Sequence, residues 1–179
     1  MIVMVTGGGG YIGSHCIVGL LETGYEVLSF DNYITGHYEI SNVFSEIEAK
    51  GRFIGSYNGN LLNLEDINKV LDEHDIDAII HFAALSQVGE SVNKPSDYYR
   101  NNVVGTMNLL DSMVSHDIHC IVFSSTAAVY GEPQYVPIDE KHPKEPISPY
   151  GRTKLDIEYM MDDYDRAYGV KSVRLRYLM

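Results

Sequence analysis

A glycine-rich segment directly after a short apolar run constrains the fold of this chain more than any other feature. The apolar run is Ile2–Thr6, and Gly-Gly-Gly-Gly-Tyr-Ile-Gly follows it at positions 7–13. The glycines fit both G-x-G-x-x-G and G-x-x-G-x-x-G, which allow a tight turn and let backbone N–H groups approach a pyrophosphate. Because the segment joins a predicted strand to a predicted helix, we interpret it as a dinucleotide-binding loop. The alternative is a simple tight turn.

Short apolar runs alternate with helical patterns along the rest of the chain. The runs predict buried strands at Ile2–Thr6, Glu26–Asp31, Arg52–Gly55, Ala78–Phe82, Cys120–Ser124 and Ser172–Arg176. The helical patterns cover Ile12–Thr23, Glu39–Lys50, Leu64–Glu73 and approximately 96–115 and 148–168. This alternation predicts right-handed crossovers and a doubly wound parallel sheet in an α/β/α sandwich, with residues 1–179 forming one domain.

An acidic residue follows the glycine segment at the spacing at which dinucleotide-binding folds hold the adenosine ribose. Asp31 ends the second predicted strand, and its carboxylate can accept hydrogen bonds from both ribose hydroxyls. The same charge repels a 2′-phosphate, so the sequence favours NAD over NADP. The alternative is a turn residue at the end of the strand, because Asp31-Asn32 also forms turns readily.

A tyrosine and a lysine lie one helical turn apart near the end of the chain. Tyr150 and Lys154 therefore share a helix face, and an ammonium group beside a phenol favours phenolate and lowers its pKa. Such a pair can act as an acid/base. The segment Ser124–Thr126 follows the fifth predicted strand, where ligands bind in doubly wound sheets, and a hydroxyl there could share a proton with Tyr150. The alternatives are a chance spacing and local capping by the hydroxyls.

Charge and cysteine content exclude several classes of protein. The chain has 13 Lys and Arg residues against 25 Asp and Glu, a net charge of −12, which argues against binding to nucleic acid or anionic membranes. Cys16 and Cys120 are the only cysteines, so no disulfide framework is expected and a cytoplasmic location fits. The seven histidines show no metal-ligand spacing, and His81 is interpreted as a core residue.

The motifs together resemble the extended short-chain dehydrogenase/reductases, a Rossmann-fold family, and within it the UDP-glucose (UDP-galactose) 4-epimerases. The matching stretches are Val5–His15, Asp31-Asn32, His81–Ala84, Val88–Val92, Lys94-Pro95, Tyr98–Val103, Gly105-Thr106, Phe123–Gly131 and Ser148–Lys154. The region Val88–Val103 is the part that points to the epimerases. Ala127 and Ala128 stand where the sugar-nucleotide dehydratases have acidic residues, so the chemistry is expected to need only hydride transfer and one acid/base.

The resemblance implies a mechanism in which NAD oxidises and then reduces a UDP-sugar at carbon 4. Tyr150 would remove the proton of the 4-hydroxyl, Lys154 would lower the pKa of Tyr150 and hold the nicotinamide ribose, and Thr126 would bind the 4-oxygen. The 4-keto sugar would then rotate and take the hydride back on its other face. The alternatives are another NAD-dependent nucleotide-sugar enzyme, such as a reductase or uronate epimerase, or an NAD-binding module without turnover.

The resemblance also implies a set of NAD contacts and an interface. The stretch Phe82–Ser86 is expected to line the cofactor. The expected contacts are Gly7, Gly10, Tyr11, Ile12, Gly13, Asp31, Asn32, Asn60, Leu61, Phe82, Ala83, Ala84, Ser86, Asn101, Ser124, Tyr150, Lys154 and Tyr177. Asn60 stands where many relatives have Asp, and Ser86 where some have Lys. A homodimer is expected through the predicted helices at 96–115 and 148–168.

Two expectations concern the second half of the chain. Gly131–Ile147, which holds four of the six prolines, is predicted to be a surface loop over the site. Members of the family continue for roughly as many residues again and form a lobe that grips the sugar nucleotide. The chain therefore resembles an NAD-binding half in which this C-terminal substrate lobe is missing, and exposed apolar surface is expected where the lobe would dock.

Overall fold

The strands form one parallel sheet, as the alternating pattern predicts. The computed structural model describes residues 1–177 and contains six strands in the order β3-β2-β1-β4-β5-β6, with every pairing parallel. The strands are β1 (Ile2–Thr6), β2 (Glu26–Asp31), β3 (Arg52–Asn58), β4 (Ala78–His81), β5 (Cys120–Ser124) and β6 (Lys171–Leu175). The order reverses between β1 and β4, and this switch point opens a crevice at the carboxyl ends of the strands.

The helices cover both faces of the sheet. They are α1 (Tyr11–Thr23), α2 (Ile40–Glu46), α3 (Leu64–Glu73), α4 (Val88–Asn93), α5 (Pro95–Tyr98), α6 (Gly105–Ser115) and α7 (Pro149–Tyr168), and a π-helical turn at Tyr99–Val104 joins α5 to α6. One apolar cluster packs β1 and β2 against α1 and α2, and a larger one packs the sheet against α3, α6 and α7. This two-sided core confirms the doubly wound Rossmann architecture. None of the helices within residues 1–177 is long and apolar enough to cross a membrane.

Helix ends follow the chemistry of their capping residues. Asn63 accepts a hydrogen bond from the Glu65 N–H and begins α3, as predicted. Ser148 accepts from the Gly151 N–H at 3.1 Å, Pro149 occupies the first turn of α7, and Gly169 ends this helix at φ +75°. These caps set where α7 begins and so place Tyr150 in its first turn.

The predicted helical boundaries differ from the structure in three places. α2 ends at Glu46 instead of Lys50, because Ile47 adopts an extended conformation. The helix predicted at 96–115 is interrupted by the π-helical turn, and α4 was not predicted at all. These three segments depend on tertiary contacts more than on their own apolar periodicity.

The prediction that all six strands are buried is wrong for the two strands at the edges. β3 is only partly buried, and side chains of β6 alternate between exposed and half-buried, because an edge strand pairs on one side only. Val173, Leu175 and Tyr177 expose 56%, 37% and 40% of their surface. These three side chains form an apolar stripe along β6.

Candidate active site

A cleft of about 320 Å³ runs along the carboxyl edge of the sheet. Its lining consists of Gly7, Gly10, Tyr11, Ile12, Gly13, Asp31, Asn32, Ile34, Thr35, Gly59, Asn60, Leu61, Phe82, Ala83, Ala84, Leu85, Ser86, Asn101, Ser124, Tyr150 and Lys154. All of the residues predicted to contact the cofactor, except Tyr177, are thus brought to one continuous surface. Predicted roles of these residues remain predictions, but their assembly in one cleft is a property of the fold.

The glycine segment can form this turn only because side chains are absent. Gly7 has φ +74°, and a Cβ there would lie 2.6 Å from the backbone nitrogen of Ala83. A Cβ at Gly13 would overlap the main-chain oxygen of Gly7. The glycine loop therefore approaches the segment after β4, and the first turn of α1 approaches the glycine loop, more closely than any other residue type allows.

The start of α1 is suited to a diphosphate. Gly10 is its N-cap, and within the described residues no side chain caps this end and no acidic residue occupies the first turn. Backbone N–H groups at a helix N-terminus carry a partial positive charge and bind anions. The chain is acidic overall, so local donors of this kind are what an anionic ligand would require.

Asp31 is held in the cleft by two backbone donors. It is only 9% exposed, and its Oδ2 and Oδ1 accept hydrogen bonds from the N–H groups of Gly9 at 2.9 Å and Tyr33 at 2.8 Å. Each carboxylate oxygen has a second lone pair, so both can still accept from a ligand hydroxyl. Two acceptor oxygens of this kind are what the predicted contact with ribose hydroxyls requires.

The sequence reasoning missed three lining residues, of which two follow Asp31. Tyr33 has φ +55°, an uncommon conformation that turns the chain back over the glycine segment and places Ile34 and Thr35 in the cleft wall. The Asn32 side chain accepts from the Ile34 N–H at 3.2 Å. This Asx-type turn was a readable signal, since Asp-Asn pairs initiate such turns. The third, Gly59, precedes the predicted Asn60.

Asn102 connects the loop after β4, at Leu85, to α7. It is 1% exposed and lies in the π-helical turn. Its side-chain oxygen accepts from the Leu85 N–H at 2.9 Å, and its amide group donates to the Leu85 oxygen at 3.0 Å and the Thr153 hydroxyl at 3.3 Å. Thr153 lies between Tyr150 and Lys154, so one buried amide joins the two walls of the cleft. π-helical turns often occur at functional sites.

Lys154 is buried, and its ammonium group faces the end of β5. Its Nζ donates a 2.8 Å hydrogen bond to the main-chain oxygen of Ser124 and lies 4.7 Å from the centroid of the Phe123 ring. The distance from Nζ to the Tyr150 ring centroid is 5.9 Å. Burial lowers the pKa of Lys154 to about 7, because the charged form loses its hydration.

The lowering of the Tyr150 pKa by Lys154 stays a prediction. Burial raises the pKa of Tyr150 and outweighs the opposing effect of the Thr126 hydroxyl, which faces the phenol. The Nζ of Lys154 donates its hydrogen bond to Ser124, and burial disfavours its ammonium form. Thr126 is therefore the neighbour whose hydrogen bond favours phenolate in this structure.

Two predicted site residues lie beside the cleft instead of lining it. Thr126 adjoins the phenol of Tyr150 from the end of β5. The main-chain oxygen of Tyr177 accepts from the Ala127 N–H at 3.2 Å. Burial raises the pKa of the Tyr177 phenol; neighbouring Cys16 adds to this effect and a hydrogen bond with Ser124 opposes it. Tyr177 thus braces the segment after β5 and is placed to shape the site indirectly.

The prediction that 131–147 forms a loop over the site is not met, because none of its described residues lines this cleft. Instead the loop packs beside the middle of α7, where Lys144 lies 3.8 Å from Glu158. His142 is buried within it and accepts a hydrogen bond from the Gln134 N–H at 3.0 Å.

His81 is a satisfied core residue, as predicted. The Thr6 hydroxyl contacts its Nδ1 at 2.6 Å, and its Nε2 contacts the Thr106 hydroxyl at 2.9 Å. Thr106 gives its own proton to the Asn102 main-chain oxygen at 2.6 Å, so Nε2 carries the imidazole proton and Nδ1 accepts. Burial, and then the charge of Lys154, lower the pKa of His81 to about 3. The ring is therefore neutral at physiological pH.

Known proteins match this chain over nearly its whole length. The family model described as GDP-mannose 4,6 dehydratase matches residues 4–178. The UDP-glucose 4-epimerase of Halalkalibacterium halodurans is 47% identical over 177 residues, which cover 99% of this chain and 50% of that protein. That of Rhizobium leguminosarum bv. trifolii is 45% identical, with 98% and 50% covered. The chain thus spans about half the length of the curated relatives it matches.

Solved structures of similar proteins share the fold. The UDP-glucose 4-epimerase from Brucella ovis in complex with NAD superposes with a TM-score of 0.88 at 42% identity, covering 99% of this chain and 51% of its own. The enzyme from Stenotrophomonas maltophila, with bound NAD and formylated UDP-arabinopyranose, superposes with a TM-score of 0.91 at 34% identity. The match covers 99% of this chain and 52% of that one. By the family match over nearly all of its length, supported by this agreement in sequence and fold, the chain belongs to the GDP-mannose 4,6 dehydratase family and is similar to one half of its UDP-glucose 4-epimerase members.

Proposed function

We propose that residues 1–179 are the NAD-binding domain of a nucleotide-sugar 4-epimerase that interconverts UDP-glucose and UDP-galactose. The observation that carries the proposal is the single cleft that connects Asp31, the glycine segment and the Tyr150–Lys154 pair. Relatives 47% and 45% identical to this chain are UDP-glucose 4-epimerases, which supports the choice of reaction.

NAD fits the residues of the cleft from one end to the other. Asp31 would accept the hydroxyls of the adenosine ribose, and the start of α1 would hold the diphosphate between Gly10 and Gly13. Lys154 would contact the nicotinamide ribose beside Ser124. Bound NAD supplies the acceptor and donor of the hydride at carbon 4 of the sugar.

The chain supplies the proton chemistry. Tyr150 takes the proton of the sugar 4-hydroxyl as carbon 4 is oxidised to the ketone, and it returns the proton when the ketone is reduced on its other face. The Thr126 hydroxyl holds the 4-oxygen and favours the phenolate form of Tyr150. Ala127 and Ala128 have no acid/base group, which supports epimerisation over dehydration. A uronate epimerase or reductase would use the same pair, and the substrate distinguishes them.

The stripe along β6 is the surface against which we propose that a substrate-binding lobe docks. Val173, Leu175 and Tyr177 are exposed there on an unpaired strand edge. Without such a lobe, the sugar nucleotide would be held weakly and the positioning that makes Tyr150 effective would be reduced. We therefore expect the isolated chain to bind NAD and to turn over UDP-sugars slowly or not at all.

We also propose a homodimer. Its interface would consist of α7 and of the continuous helical segment formed by α5, the π-helical turn and α6. Tyr99, Val104 and Met107 are 38–40% exposed on that segment, and Tyr159 is 53% exposed on α7. Sedimentation of the purified chain tests the dimer. Location in the cytoplasm is likewise proposed, and the unpaired state of Cys16 and Cys120 supports it.

Turnover of UDP-galactose tests the function directly. High concentrations of the chain, with NAD, are incubated with UDP-galactose, and formation of UDP-glucose is followed with and without the Tyr150→Phe substitution. Epimerisation that disappears in the Tyr150→Phe variant supports the proposal. In a parallel assay with NADH added in place of NAD, stoichiometric consumption of NADH would show a reductase instead. Epimerisation that survives in Tyr150→Phe would contradict the assigned acid/base.

A further inference from the structure

A buried ion pair lies directly behind the segment that carries Thr126. Glu158 on α7 and Arg176, just after β6, form a bidentate pair, with Nε to Oε1 at 2.9 Å and Nη2 to Oε2 at 2.6 Å. Their side chains are 1% and 11% exposed. Burying two charges costs hydration that their attraction often fails to recover, so a buried pair is weak evidence for a gain in stability.

The ion pair is bonded to both ends of the segment 125–130. The Ser125 hydroxyl donates to Oε1 of Glu158 at 2.6 Å. At the other end, Nη1 of Arg176 donates to the Tyr130 hydroxyl at 2.9 Å, and its guanidinium carbon lies 5.3 Å from the centroid of the Tyr130 ring. We call these four residues (Ser125, Tyr130, Glu158 and Arg176) the Glu158 clamp.

The residues on both sides of Thr126 are fixed by hydrogen bonds. Ser125 is bonded to Glu158, and the Ala127 N–H donates to the main-chain oxygen of Tyr177. The Thr126 backbone is extended, with φ −155° and ψ 150°, and its hydroxyl accepts from the Ala128 N–H at 3.2 Å. The hydroxyl proton of Thr126 is thereby free to point toward Tyr150.

Glu158 and Tyr150 belong to the same helix, two turns apart. A bond from Ser125 to Glu158 therefore fixes the distance between the Thr126 segment and the helix that carries the phenol. Glu158 makes no contact with the cleft, since it does not line it in the part of the chain that the structure describes. Its burial and its full set of hydrogen bonds are explained by this bracing role.

We propose that the Glu158 clamp is a positioning device that holds the Thr126 hydroxyl against the Tyr150 phenol. The proposal rests on the proposed function, because it assigns Thr126 and Tyr150 to the acid/base step. Glu158, Arg176 and Ser125 do not line the described cleft and act through Thr126.

The ionisation of Tyr150 reports on the clamp without any need for turnover. The groups that face this phenol are the Thr126 hydroxyl, the Lys154 ammonium and the ring of Tyr98, whose centroid is 6.4 Å away. Loss of the Thr126 contact should raise the pKa of Tyr150. The chain is labelled with 3-fluorotyrosine, which brings phenol titration to milder pH, and the Tyr150 resonance is followed by ¹⁹F NMR after assignment with Tyr150→Phe.

Ser125→Ala is the decisive variant, because it removes one bond of the clamp and leaves the ion pair in place. We expect it to raise the pKa of Tyr150 in the same direction as Thr126→Val, and the double variant to shift it no further than Thr126→Val alone. Tyr130→Phe removes the hydrogen bond between Arg176 and the Tyr130 hydroxyl and should also raise the pKa of Tyr150. Ser112→Ala is the matched control, because Ser112 is a buried serine on α6 remote from the clamp, and it should leave the pKa of Tyr150 unchanged.

The possible results separate the two proposals. If Ser125→Ala and Tyr130→Phe both leave the pKa of Tyr150 at its original value, the clamp is rejected, and it is also rejected if the shifts of Ser125→Ala and Thr126→Val add fully. A chain that binds NAD and shows the clamp shifts, but whose epimerisation survives Tyr150→Phe, would retain the geometric inference and overturn the proposed mechanism.

Discussion

Nζ of Lys154 donates its hydrogen bond to the main-chain oxygen of Ser124 and lies 5.9 Å from the centroid of the Tyr150 ring. The ammonium group of Lys154 therefore contacts the end of β5 more closely than it contacts the ring of Tyr150, one helical turn earlier. Its burial is nearly complete at 2% exposure. The cationic form is consequently disfavoured, and this has a measurable effect on the stability of the fold.

Stability is expected to rise with pH between about 7 and 10.5 through Lys154. Its pKa is lowered from 10.5 to about 7 in the folded chain, so in this window the unfolded chain binds one proton more than the folded chain does. The slope is at most about 1.4 kcal/mol per pH unit. Urea unfolding across this window measures it, and Lys154→Met should remove that part of the slope. An identical slope in both proteins would refute the burial effect.

A second pH dependence is expected on the acid side, from His81. Its pKa is lowered from 6.5 to about 3 in the folded chain, so stability falls as the pH drops from about 6.5 toward 3 because protonation favours the unfolded chain. The loss is again at most about 1.4 kcal/mol per pH unit. His81→Gln should flatten this dependence, although it lowers stability at pH 7 by breaking the bonds to Thr6 and Thr106. Equal acid slopes in the two proteins would contradict a buried neutral imidazole.

The elements that the sequence predicts well are those whose signals are local. The Asn63 and Ser148 caps and the closing Gly169 each act through their own backbone neighbours, so the bounds of α3 and α7 were predictable to about one residue. The strand-loop-helix unit at the glycine segment is local in the same sense. Because the strands are parallel, their carboxyl ends meet at one edge, and the cleft residues follow from that rule.

What the sequence could not predict depends on contacts between distant segments. The π-helical turn is accompanied by bonds from Asn102 to Leu85 and Thr153, which no local pattern reveals. The partial exposure of β3 and β6 follows from their positions at the sheet edges, which is a property of strand order. Burial raises the pKa of Tyr150, and the depth of that burial is not determined by the spacing of Tyr150 and Lys154.

Gly13→Ala is expected to prevent NAD binding and to destabilise the chain. The added Cβ would overlap the main-chain oxygen of Gly7, and backbone atoms there cannot move without opening the turn. Overpacking of this kind costs about 1–3 kcal/mol. Calorimetric titration with NAD and urea unfolding measure both effects.

Gly19→Ala in the same helix is the matched control for that substitution. No atom lies within 4 Å of its added Cβ among the described residues, so the only change is in helix propensity. We expect a gain of about 1 kcal/mol in stability and unchanged NAD affinity. Equal losses at Gly13 and Gly19 would mean that close approach of the loop is not what requires glycine.

Asp31→Asn is expected to weaken NAD binding and to narrow the preference for NAD over NADP. The substitution removes the negative charge and replaces one acceptor oxygen by an NH2 group, which opposes a backbone N–H of Gly9 or Tyr33. Hydrogen bonds to a charged group contribute about 1.5–3 kcal/mol each, so NAD affinity should fall at least tenfold. NADP affinity should fall less or rise, because the repulsion of its 2′-phosphate is relieved. Asp72→Asn, an exposed carboxylate on α3, should change neither affinity. If Asp31→Asn lowers both affinities by the same factor, Asp31 supports the loop but does not select the cofactor.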